Sequence, residues 1–226
     1  MDTIEEIMSK YSNWDLYNSF FLMNDTNRLQ KFMVKEHLFK EALDIPGDIV
    51  EVGVFKGTGF LQFLKMRDIL IPNTNKKVIG FDLFNSTESQ TLSGHNTELS
   101  KYYTNCGISY QNGIAKSTIN KFASSFDNYK LIEGNIQETL PEYNSKYPGF
   151  RISLLYLDLD IDEPTYISLR YLYDRVVRGG VIVFDEYACE RWNESNAVDR
   201  FLSEHPEIQL KTIKWAKTPT AYFIKP

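Results

Sequence analysis

The sequence predicts an α/β chain built on a doubly wound, mostly parallel sheet of seven strands with an N-terminal helical segment. Three observations carry this. Short apolar runs of strand length alternate with stretches of helical spacing along most of the chain. Four of those runs end in, or just before, acidic residues or a glycine-rich turn. The 226 residues, 42% hydrophobic and 24% charged, suit one domain over 1–226 with one large core, and exclude a disordered or fibrous chain.

The elements follow in order. Residues 1–45 read as helical, since Phe32, Phe39 and Leu43 recur on one face with Val34, Leu38 and Ala42 beside them. Pro46-Gly47 ends that segment, and Asp48-Ile49-Val50-Glu51-Val52-Gly53 suits a buried parallel strand. A helix over Phe60 to Leu70 leads to a second strand, Lys77 to Asp82, and strand-helix-strand of this length implies a right-handed crossover. From Asn85 to about Tyr110 the chain is rich in Ser, Thr, Asn and Gly; a loop of that length predicts a lid or insert (85–110) over a site. Ser117 to Phe126 reads as a helix feeding the third strand, Tyr129 to Glu133, which Gly134-Asn135 closes. Ile152 to Asp158 is the fourth strand, followed by a helix from Tyr166 to Val177. Gly179-Gly180 turns the chain into the fifth, Val181 to Asp185. A helix from Asn196 to Ser203 and two closing strands, Ile208 to Ile213 and Ala221 to Ile224, complete the sheet.

Bulk properties narrow the partners. The formal net charge of −5, without a Lys/Arg cluster, argues against nucleic acid as the main partner. Two cysteines, Cys106 and Cys189, make neither a disulfide framework nor a Cys-x-x-Cys motif, so a reducing, cytoplasmic setting is expected. The acidic start, Met1-Asp2-Thr3-Ile4-Glu5-Glu6, is unlike a secretory signal, and no apolar run is long enough for a bilayer, so no membrane partner is expected. A homo-oligomer is compatible with all of this.

Ligands of doubly wound sheets bind outside the carboxyl ends of the strands, so the chemistry belongs at those ends. The first loop, Glu51-Val52-Gly53-Val54-Phe55-Lys56-Gly57-Thr58, lets backbone approach a ligand closely. Where a dinucleotide-binding turn would begin with glycine, this chain has Glu51. A carboxylate there repels pyrophosphate but accepts hydrogen bonds from an ammonium group, which favours S-adenosylmethionine. Asp82, ending the second strand, stands where an acid holds ribose hydroxyls. Either acid would also serve as a strand-end cap for the next helix. The donor is expected on Glu51, Gly53, Val54, Gly57, Thr58, Asp82, Asn135, Ile136 and Asp158. A second group, Asp158, Asp160, Asp185 and Glu186, comes from two strand ends expected to be neighbours. Packed without counter-charge, such acids would repel or protonate; a divalent cation would keep them ionised, and oxygen ligands suit magnesium, calcium or manganese. Individually, each also reads as a solvated loop residue. His37, His95 and His205 have no metal-ligand spacing and read as packing or surface residues.

Several motifs together resemble the metal-dependent sugar O-methyltransferases of macrolide and aminocoumarin tailoring, the macrocin, mycinamicin and novobiocin O-methyltransferases. They are Ile45 to Val54; Leu157-Asp158-Leu159-Asp160 with Glu163 and Thr165; Gly179-Gly180; Asp185-Glu186-Tyr187; and Ala197-Val198-Asp199. The resemblance implies a class I, Rossmann-like fold and a donor of S-adenosylmethionine. It implies a divalent ion such as Mg2+ on Asp158, Asp185 and Glu186, and Asp160 as general base. The chain departs from the family in carrying Asp185-Glu186 for Asp-Asp, Ile161-Asp162-Glu163 for Leu-Tyr-Glu, and Leu83-Phe84-Asn85-Ser86 for Ser-Phe-Glu-Gly.

The expected reaction is in-line methyl transfer to a hydroxyl of a sugar or sugar-containing small molecule or glycan. Asp158 and Asp160 are its catalytic acids, and Tyr187 and Trp192 line the acceptor pocket or its packed rim. Two other readings stay open: a catechol-type O-methyltransferase acting on an aromatic diol, and a methyltransferase-like protein that binds without turnover.

Overall fold

The structure is a computed structural model that describes residues 4–22, 24, 26–84 and 116–226. The expected lid, with His95 and Cys106, lies outside the described residues. The N-terminal segment is three helices, α1 (Ile4–Lys10), α2 (Asn13–Leu22) and α3 (Thr26–Glu41). Then follow β1 (Asp48–Val52), α4 (Thr58–Leu70), β2 (Val78–Asp82), α5 (Lys116–Ala123), β3 (Tyr129–Glu133) and α6 (Ile136–Lys146). The chain ends with β4 (Ile152–Leu157), α7 (Asp162–Leu172), β5 (Val176–Phe184), α8 (Glu194–Glu204) and β6 (Ala221–Ile224).

The strands form one sheet in the order β3-β2-β1-β4-β5-β6. Every pair is parallel except β5 with β6. Side chains alternate across it with the two-residue period of a strand. Val50, Val52, Ile79, Phe81, Leu155, Leu157, Ile182 and Phe184 face Leu140 of α6, Leu169 of α7 and Phe201 of α8. Ile49, Val78, Leu154, Tyr156, Val181 and Val183 face Leu38 and Phe39 of α3, Phe60 and Phe63 of α4, and Ile119 of α5. Both faces are therefore covered, which is why these strands read as nearly continuous apolar runs. By contrast α2 buries none of its residues, and Trp14, Tyr17, Phe21 and Leu22 on it are exposed.

Three expectations need correction. Among the described residues the sheet has six strands, not seven: in the segment Ile208 to Ile213 only Lys211 pairs, forming a single bridge with Tyr222. Further along, the Thr212 hydroxyl rather than a backbone group bonds the Thr220 carbonyl, so the ladder does not extend. The fifth strand starts at Val176, before Gly179-Gly180, and the glycines mark an irregularity inside it rather than a turn ahead of it. Helix α6 had no counterpart in the sequence reading. Its interior Pro141 removes one helical hydrogen bond and masks the pattern, but Asn135 caps its start by accepting the Gln137 N–H at 3.0 Å.

Candidate active site

Strand register places the predicted acids in one row. Gly53 donates its N–H to Phe81 O, Asp158 to Val52 O and Asp185 to Leu157 O, each at 2.9 to 3.0 Å. The residues just past β2, β1, β4 and β5 thus stand side by side at the carboxyl edge, at the point where chain order reverses between β1 and β4. Gly53 is forced by this closeness. Its φ is +90°, and a Cβ there would sit 2.0 Å from the Asp158 carbonyl oxygen.

The donor-side residues form a compact framework. Asp82 Oδ2 accepts the N–H groups of Val54 and Phe55 at 2.6 and 2.7 Å, and Oδ1 accepts that of Phe84 at 2.7 Å. Burial raises the Asp82 pKa, and these backbone donors oppose the rise. Gly57, with φ +80°, is the N-cap residue of α4, and Thr58 is its first residue. Asn135 and Ile136 lie where β3 passes into α6; Asn135 serves as the cap and Ile136 packs in the core. Glu51 is buried under the loop. Its Oε1 pairs with Lys35 at 2.8 Å, while Oε2 is buried with no hydrogen-bond partner. Burial lifts the Glu51 carboxyl to about 7 against the pull of Lys35. Gly59 makes room for this pair, because a Cβ there would lie 2.2 Å from Glu51 Oε1 and 2.3 Å from Lys35 Nζ.

The acidic group is brought together as expected, but with a cation from the chain itself. Lys31 Nζ lies 2.7 Å from Asp185 Oδ2 and 3.2 Å from Asp158 Oδ2. Tyr156 donates its hydroxyl to Asp185 Oδ1. Burial works to raise Asp158, but Lys31 and Lys35 outweigh it and hold that carboxyl below its ordinary value. Asp185 is raised by burial and by Asp158. Asp160 is raised well above the carboxylate range by burial and by Asp158, Asp185 and Glu186, and its backbone is left-handed, φ +65°. Glu186 rises to about 7 through burial and the Asp185 charge, and accepts a hydrogen bond from the Cys189 thiol. Two of the three acids expected to hold a metal thus turn to one cation, and the third turns to a thiol. Among the described residues no three acids, histidines or cysteines are grouped as a metal-binding set.

Tyr187 and Trp192 follow β5 in the same loop. The Tyr187 hydroxyl bonds Asp199 Oδ1 at 2.9 Å, and Trp192 is half-buried. Three residues here were missed by the sequence reading: Lys31, Lys35 and Glu194. Glu194 is fully buried at the start of α8, with Oε2 accepting the Glu186 N–H at 2.6 Å and Oε1 unpartnered. Lys35 had a signal, since it stands in α3 between Val34 and Leu38 of the buried face. The histidine expectation fits where it is described: His205 packs against Tyr173 and Phe201, ring centroids 4.7 and 4.4 Å away.

Comparison with known proteins places this arrangement. The family model described as Macrocin-O-methyltransferase (TylF) matches residues 12–223. The 8-demethyl-8-(2,3-dimethoxy-alpha-L-rhamnosyl)-tetracenomycin-C 4'-O-methyltransferase of Streptomyces olivaceus is 24% identical over 149 residues, 65% of this chain and 55% of that one. The match therefore spans about half the length of that curated relative. The crystal structure of CalS11, calicheamicin methyltransferase, superposes with a TM-score of 0.76 at 22% identity, covering 99% of this chain and 94% of that chain. That of the O-methyltransferase NovP gives 0.65 at 19%, covering 87% and 79%. At these identities the two structures establish the fold, a Rossmann-like α/β sheet.

Proposed function

From the premise that this chain belongs to the Macrocin-O-methyltransferase (TylF) family, we propose that it is an S-adenosylmethionine-dependent O-methyltransferase acting on a hydroxyl of a sugar or sugar-bearing small molecule. The observation that carries the reading is the row of acids at the carboxyl edge, Asp82, Asp158 and Asp185, with Asp160 and Glu186 beside it, next to the glycine loop. The names of the relatives point the same way: one methylates a rhamnosyl tetracenomycin, and CalS11 is a TDP-rhamnose 3'-O-methyltransferase. We take residues 1–226 as one such domain.

In this reading Gly53, Val54, Gly57 and Thr58 bound the donor cleft, with Asn135 and Ile136 on its far side. The unpartnered Glu51 Oε2 supplies an acceptor for the donor ammonium, which would satisfy a buried orphan oxygen. Asp82 holds the ribose. Asp158 and Asp185 would hold a divalent cation through the two oxygens that now face an ammonium, with Glu186 turned in from its present position as the third ligand. Held there, such an ion would supply Lewis acidity toward the acceptor hydroxyl. Asp160, beside Asp158 and the acids after β5, takes the proton from the acceptor hydroxyl as it attacks the methyl carbon in line. Tyr187 and Trp192 offer aromatic faces to a sugar ring.

The test is incubation with S-adenosylmethionine and a panel of TDP-rhamnose, other sugars, rhamnosylated natural products and catechols, with Mg2+ or with chelator, read by mass for a gain of one methyl group. Methylation of a sugar-bearing acceptor supports the reading. Methylation of catechols alone would replace it with the aromatic-diol reading, and donor binding without any turnover would leave a binding protein.

A further inference from the structure

The acids assigned above to a metal are held by a lysine from the opposite end of the sequence. Two carboxylate oxygens, from the ends of β4 and β5, converge on Lys31 Nζ at 3.2 and 2.7 Å. A divalent ion bound to both would need the same lone pairs, at about 2.0–2.6 Å. An ammonium left beside it would meet strong like-charge repulsion. Lysine and metal are therefore alternatives at this point.

We propose that Lys31 is an internal stand-in for the metal: it occupies Asp158 and Asp185 in the metal-free chain, and metal loading expels it and releases the N-terminal half of α3. The inference rests on the metal reading of the preceding subsection.

The contrast with Lys35, one turn later on the same helix, locates the release. The Lys35 and Glu51 side chains are 3% and 2% exposed, and Lys35 Nζ lies 3.9 Å from the centre of the Tyr156 ring. Removing either partner would strand a buried charge, so this turn stays docked. Lys31 and Asp158 are 21% and 24% exposed, which gives a solvated ion a route to Asp158 and the lysine a route out, while Asp185 lies behind them at 1%. The helix is thus pinned at Lys35 and held by exchangeable contacts ahead of it. Other ties on that half include polar contacts at the surface. Gln30 Nε2 donates to Trp215 O, Gln30 Oε1 accepts the Lys217 N–H at 2.9 Å, and Gln62 Nε2 donates to Phe32 O at 3.1 Å.

The experiment measures Mg2+ binding by calorimetry to the full-length wild type, Lys31→Met and Lys31→Arg, together with hydrogen exchange of residues 28–34 with and without saturating Mg2+. Lys31→Met, which keeps the length and loses the charge, is expected to bind Mg2+ about tenfold more tightly than wild type, and Lys31→Arg to stay near wild type. In wild type, Mg2+ should speed exchange at 28–34 by about tenfold, an effect of local opening, while Lys31→Met exchanges fast in both states. Equal or weaker Mg2+ binding by Lys31→Met would remove the stand-in role and leave the metal reading intact. Absence of Mg2+ binding in every variant would remove the metal reading and this inference with it. Should Lys31→Met fail to fold, wild-type exchange decides: protection at 28–34 unmoved by saturating Mg2+ overturns the proposal.

Discussion

The same strands end in two very different chemistries. At the carboxyl edge Glu51, Asp158 and Asp185 are met by Lys31 and Lys35, and the space above the acids is filled by α3. At the amino edge a cavity of about 630 Å3 is lined by Lys77, Lys130, Lys146, Arg151, Tyr143 and Tyr147, with Asp48 as its acid. There the cations are solvated or lie over rings, as Lys130 does 3.9 Å from the centre of Tyr147. This hollow lies at the end remote from the donor loop, and the chemical edge is the crowded one. Charges at the crowded edge are coupled to one another through low-dielectric surroundings, whereas those at the open edge stand nearer to solvent and are screened by it. Substitutions should therefore be costly at the first and mild at the second.

The sharpest test of that contrast is Asp160→Asn. It should cut methyl transfer by about 10²–10⁴-fold, the usual contribution of a general base, while donor affinity measured by equilibrium dialysis is unchanged. Unaltered turnover would take Asp160 out of the mechanism. Next in size, Lys35→Met should cost about 3–5 kcal/mol in urea unfolding, because it leaves the Glu51 charge buried and unpaired. Pairing it with Glu51→Gln should restore part of that loss, and a double variant as unstable as the single one would show that packing, not charge, is responsible.

Gly53→Ala follows. A side chain in the left-handed region costs about 1–3 kcal/mol before the clash with the Asp158 carbonyl is added. Thermal unfolding and donor binding should both worsen.

The pH dependence separates the edges more gently. Glu186 titrates at about 7 in the folded, metal-free chain against an ordinary 4.5, so the folded state holds the extra proton between those values. Its contribution to stability is complete at low pH and is lost as pH rises through about 7. Urea midpoints at pH 5 and pH 8 should therefore fall less in Glu186→Gln than in wild type, and an identical fall would place the effect elsewhere. Smallest of all, Lys130→Ala at the open edge should shift stability by no more than about 0.5 kcal/mol and leave turnover untouched. A large loss there would erase the contrast.

How much of this could be read along the chain depends on the range of the interaction. β1 to β4, the helices around them and the acids at strand ends follow from local patterns: two-residue and 3.6-residue hydrophobic periods, and glycine or acid punctuation at 51–59, 82, 158 and 185. Helix α6 was hidden by Pro141, and the edge pairing of 208–213 depended on one bridge and a threonine hydroxyl.

Sequence alone thus determined the parallel strands β1 to β4, that acids stand at the carboxyl ends, and the family to which such motifs belong, because each of these is written within a few consecutive residues. Tertiary structure decided the partners of those acids. Lys31 reaches Asp158 across 127 positions and Asp185 across 154, and Glu194 folds back to the Glu186 amide. Charge pairing is set by distance through space, and no periodicity in a chain encodes which lysine will arrive.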